Sequence, residues 1–124
     1  MSANIYFSRR VSNAPACAVD VEVPFNMANG NAAHFLTCLG YDANFWNAEP
    51  YSLPEFAGAV ARFLGSEAGQ FVDRGTETRT ETGEGGATMI YCGRREDYVT
   101  ERCKALVPCM ALAMEKGATH LELC

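Results

Sequence analysis

Apolar and polar residues alternate one for one through the segment ACAVDVEVPF, where Cys17, Val19, Val21, Val23 and Phe25 stand against Ala18, Asp20, Glu22 and Pro24. A period of two places those five side chains on one face of a strand. Pro24 offers no backbone donor, so the strand stops there or runs along an edge. NIYFSRRV, residues 4–11, precedes it across a turn at SNAP, which gives two strands in succession.

The period then lengthens. Ala32, Phe35, Leu36 and Leu39 fall at i, i+3, i+4 and i+7, one face of a first short helix, and Gly40 sits where a left-handed C-terminal residue is wanted. Asn29 or Asn31 is the expected N-cap, which makes the cluster Asn26, Asn29 and Asn31 structural rather than a ligand site. A second short helix opens at SLPEFAGAVARFLG, with Ser52 and Glu55 at capping-box spacing, Leu53, Phe56, Ala57, Val60 and Leu64 inward, and Gly65 at its end.

A third, longer helix is expected over about 94–116. Val99, Cys103, Leu106, Val107, Met110 and Met114 follow its period, Glu96 and Asp97 suit the positive end of its dipole, and Pro108 kinks it. ALVPCMALAM is apolar all round, so this half is expected to be a central helix covered on several sides. Before it, TETRTET at residues 76–82 and GEGG ahead of ATMIYC give either a hairpin with one polar arm or a mobile loop over 75–87. THLELC closes the chain as a strand with Leu121 and Leu123 inward. The order ββααββαβ, with two short helices and one long one, predicts a single α+β domain over 1–124 whose helices lie against a mostly antiparallel sheet.

Composition supports that size and narrows the partners. At 124 residues and 48% hydrophobic the chain can bury a core without disulfides or metal. A net charge of −5 gives no attraction for nucleic acid phosphates or anionic membrane. No segment approaches the roughly 18 to 20 apolar residues that span a bilayer, and MSANIYFSRRV lacks the apolar stretch of a signal peptide. The expectation is a soluble, cytoplasmic protein.

Candidate chemistry is sparse. The six cysteines, at 17, 38, 92, 103, 109 and 124, lie partly inside apolar patterns and without a secretory signal, so they are expected to be free thiols. Cys17 and Cys103 should be buried and inert, and Cys38 and Cys124 reactive. His34 and Cys38 stand four apart on a helix and could share a metal, but His120 and Cys124 stand about 13 Å apart along a strand, and no CxxC knuckle completes a site. Cys92, before a helix start and followed by Arg94 and Arg95, is a candidate nucleophile, with Glu96 and Asp97 opposing its activation. Phosphate loops, GxSxG, HExxH and EF-hand patterns are missing. No catalytic residue, metal or cofactor is assigned.

What remains is the loop YDANFWNAEPYS. Within eleven residues it carries Tyr41, Phe45, Trp46 and Tyr51, four of the chain's thirteen aromatics and its only tryptophan, with Asp42 and Asn47 among them. Aromatics dominate interface energetics because each brings large apolar area at small entropy cost. Tyr41, Asp42, Phe45, Trp46, Asn47 and Tyr51 are therefore the candidate binding residues. The expected function is a non-catalytic module that binds another protein, of inhibitor, immunity, phage-antagonist or adaptor type. The rival is a small-molecule-binding or thiol-dependent domain with a pocket near Cys92 and His34, and self-association through the polar arm is a third reading.

Overall fold

The computed structural model describes residues 2–65, 79–82, 88–91 and 97–124. Eight strands and three α-helices are found among them: β1 (Ser2–Ala3), β2 (Ile5–Arg9), β3 (Cys17–Val19), β4 (Met27–Ala28), α1 (Asn29–Cys38), β5 (Tyr51–Ser52), α2 (Leu53–Gly65), β6 (Arg79–Thr82), β7 (Thr88–Tyr91), α3 (Tyr98–Glu115) and β8 (His120–Leu123). The class is α+β. The predicted order holds for the larger elements, and the two-residue strands β1, β4 and β5 are additions to it.

The main sheet runs β3-β2-β8-β5, antiparallel throughout, with Phe7 opposite both Val19 and Leu121 and Ile5 opposite Leu123. Alternation along β2 and β8 sends Ile5, Phe7, Leu121 and Leu123 into the core and leaves Tyr6 on the outer face. The helices bring Phe35, Leu36, Leu53, Phe56, Val60 and Leu106 into the same core. Full burial of each such side chain contributes about 1.5–3 kcal/mol. The strands β6 and β7 pair with each other, Arg79 opposite Tyr91, in a separate ladder. Of the segment 75–87, residues 79–82 are thus a paired strand, and residues 75–78 and 83–87 lie outside the described residues. No described helix is long and apolar enough to cross a membrane.

Four expectations are corrected. The ladder at Cys17 ends at Val19, with Val21, Val23 and Phe25 half-buried and Cys17 itself exposed. The reason lies in α3, which draws this segment off the sheet: Lys116 Nζ donates to Asp20 O at 2.9 Å, Cys109 Sγ to Glu22 O at 3.7 Å, and the Arg102 guanidinium lies 4.8 Å from the centre of the Phe25 ring. Second, neither Asn29 nor Asn31 caps α1. The extended Ala28 is the cap residue and makes no side-chain bond, so Asn29 and Asn31 fall inside the first turn. Third, α2 is rotated slightly from its expected face. Ala59 and Phe63 are buried, while Ala57 and Leu64 only flank the core.

The fourth concerns α3, whose apolar half is covered on one side only. Val99, Cys103, Leu106, Met110 and Ala113, spaced four and three apart, are buried, whereas Val107 is 44% and Leu112 43% exposed and Met114 is exposed as well. One helical stripe is all that a single packing layer can cover. Both α1 and α3 end as the glycines predict. Gly40 and Gly117 take positive φ of 88° and 90°, and each is followed by a bond from the next N–H back to the carbonyl five residues earlier, Tyr41 to Leu36 and Ala118 to Ala113, both at 2.9 Å.

Candidate functional site

The turn at Gly40 delivers the aromatic loop. With its N–H held by Leu36, Tyr41 is placed over the start of α2, and its ring stacks on Phe56 at 5.3 Å and 16°. Tyr51, at the end of the loop, meets Tyr41 at 4.9 Å and Phe56 at 5.6 Å. Three rings thus form one cluster that ties α1, β5 and α2 together. Burial, then the Glu55 charge, raises the Tyr41 phenol pKa, and burial, then Tyr41 and Asp42, raises that of Tyr51. Both are half-buried packing residues.

Asp42 serves the loop's own shape, its Oδ1 accepting from Asn44 N–H at 2.8 Å. Such a bond lets an aspartate replace a backbone carbonyl in a turn. A single 3₁₀ turn follows over Phe45–Asn47, closed by Ala48 N–H to Phe45 O at 3.3 Å. Consecutive side chains on that turn diverge. Phe45 is 4% exposed and belongs to the core, whereas Trp46 is 61% exposed. Their rings still stack, at 4.4 Å and 18°. An exposed indole is therefore seated on a ring that the core holds still.

The six candidate residues consequently separate into roles. Tyr41, Tyr51 and Phe45 pack, Asp42 and the backbone of Asn47 shape the turn, and Trp46 is presented to solvent. On the outer face of the sheet, Tyr6 is 52% exposed beside the Arg10–Glu122 ion pair at 3.0 Å, and these residues border an open cavity of about 430 Å³ that Cys17 and Cys124 also line. Sequence reasoning passed over Tyr6; its place between Ile5 and Phe7, on the opposite phase of the strand, was the available signal.

The thiol chemistry is more dispersed. Cys38 Sγ lies 3.6 Å from His34 Nε2, one turn apart on α1. Cys103 is fully buried, and that burial, with Cys38 as a second cause, pushes its thiol up to about 12. Cys92 falls outside the described residues. His120 Nδ1 is 2.7 Å from Thr119 Oγ1. Among the described residues no group of three or more histidine, cysteine, aspartate or glutamate side chains could hold a metal ion. Comparison with family models, with curated proteins and with solved structures finds no match.

Proposed function

We propose that the chain is a non-catalytic, cytoplasmic protein-binding module, of inhibitor, immunity, antagonist or adaptor type, whose anchor is Trp46. One observation carries this reading: the chain's only tryptophan stands 61% exposed while stacked on the buried ring of Phe45. A ring held in place before contact loses little entropy on binding, and tryptophan is among the residues most enriched at the energetic centres of interfaces. The fixed turn around it, with the Asp42–Asn44 bond and the Tyr41–Tyr51–Phe56 cluster behind, supplies rigid support. The net charge of −5 favours a partner with a basic face over nucleic acid.

The test is quantitative capture. The immobilised full chain and its Trp46→Ala variant are each exposed to a soluble extract of the native host, and the retained proteins are measured by mass spectrometry. Loss of one or a few retained species in the variant, with an unchanged melt, supports the reading. Identical retention by both chains rejects it. A thiol-dependent reading rests on the His34–Cys38 contact at 3.6 Å. Thermal shifts across a metabolite panel, absent after Cys38→Ser, would favour that reading instead.

A further inference from the structure

The long hairpin at the N-terminus is paired at its two ends and open between them. Phe7 meets Val19 and Arg9 meets Cys17 in one ladder, and Ala3 meets Met27 in another. Between them, residues 20–26 stand opposite residues 4–6, an excess of four residues on one side. Bonds from Lys116 and Cys109 hold that excess toward α3.

This opening leaves one rung of the ladder unpaired. Asn4 and Cys124 exchange both backbone bonds, at 2.8 and 3.0 Å, so Asn4 directs its polar groups toward β8. In an antiparallel strand the direction alternates, so Ile5 directs its N–H and C=O the other way, as Phe7 and Arg9 do. Phe7 and Arg9 find partners there. The N–H and C=O of Ile5 have none among the described residues, although Ile5 is buried. On that side of the strand Ile5 lines a cavity of about 500 Å³ together with Val19, Asp20, Val21, Val23 and Phe25. Apolar walls around a small number of directed polar groups, at this volume, are the usual makeup of a small-molecule site.

We propose that this cavity binds a small, neutral, apolar diamide, one amino-acid residue with an amide on each side. The C=O of that residue accepts from the Ile5 N–H, its N–H donates to the Ile5 C=O, and its alkyl or aryl side chain lies on the valines and Phe25. A residue flanked by two amides is the match because the N–H and C=O of one strand residue pair with the C=O and N–H of one opposite residue, which come from two successive peptide units. Asp20 and the net charge of −5 disfavour an anion. The site is separate from the aromatic loop and does not depend on its role.

The experiment is a nuclear magnetic resonance titration of the isotope-labelled full chain with N-acetyl-leucinamide as probe and 3-methylbutan-1-ol, a branched chain without the amide, as control. A saturable shift of the Ile5 amide with the first probe and not the second is expected. Val21→Trp, which fills the cavity, should abolish that shift while the remaining spectrum stays dispersed; Val23→Trp reports the same if the first variant does not fold. No saturable shift at Ile5, an equal response to the alcohol, or a response that survives in a folded filled variant would each overturn the proposal. If neither variant folds, the wild-type comparison of the two probes decides.

Discussion

Truncating Phe45 and truncating Trp46 should have opposite consequences, although the two are adjacent and their rings stack. Phe45→Ala removes a core side chain and should destabilise by about 3 kcal/mol or more, as large-to-small core changes do. Trp46→Ala removes a surface ring and should change stability by less than about 1 kcal/mol. Urea unfolding of both variants checks the pair, and a Trp46→Ala loss as large as that of Phe45→Ala would make the indole part of the core. The sequence marks this loop as aromatic but not which ring turns inward, because a single 3₁₀ turn has no period long enough to reveal a face. A related gap exists for the thiols. Cys17 sits in the alternating pattern yet is exposed, and Cys124 is exposed with its thiol pKa raised, first by burial and then by Glu122. Among the described thiols, a reagent at neutral pH should therefore label Cys17 first, Cys124 next and Cys38 more slowly, with Cys103 and Cys109 protected until denaturation. Peptide mass mapping reads the order, and early labelling of Cys103 would contradict the packing of α3.

Elements with a long, consistent period were the legible ones. The inward face of α1, the ends at Gly40 and Gly117, and the inward leucines of β8 follow from spacing alone. The segment after Cys17 kept its alternation in burial while losing its ladder, since the carbonyls of Asp20 and Glu22 are drawn to α3 by residues some ninety positions away. No local pattern encodes such a competition. The exposed side of α3 was hidden for a different reason: a stretch apolar all round carries no moment to say which side is covered. Pro108 lies on that exposed side, inside a helix that continues from Tyr98 to Glu115. The carbonyl of Lys104, which loses its intrahelical donor to the proline, belongs to an exposed residue within reach of water. Pro108→Ala should accordingly stabilise the protein by about 2 kcal/mol, the helix-interior penalty of proline less its stiffening of the unfolded chain. A lower urea midpoint would show that the pyrrolidine ring packs against something.

The whole molecule should weaken in alkali before it weakens in mild acid. Burial raises the thiol of Cys103 from 9.0 to about 12 and raises the phenols of Tyr41 and Tyr51 as well. Each of these groups loses its proton earlier in the unfolded chain than in the folded one. The Cys103 contribution is complete below about pH 9 and is lost as pH rises toward 12, at no more than about 1.4 kcal/mol per pH unit, and the two phenols act in the same direction. Unfolding midpoints should hold between about pH 8 and pH 9 and fall from there to about pH 11, and a flat profile to that pH would mean that Cys103 is solvated. The protein-binding account itself turns on Trp46, and the chain's only indole makes it directly observable. The decisive measurement is acrylamide quenching of tryptophan emission in the free folded chain and after addition of a captured partner that lacks tryptophan. The account predicts free-chain quenching close to that of the urea-unfolded chain, then a blue-shifted emission protected from quencher in the complex. A stable complex in which the indole stays as accessible as before would contradict it.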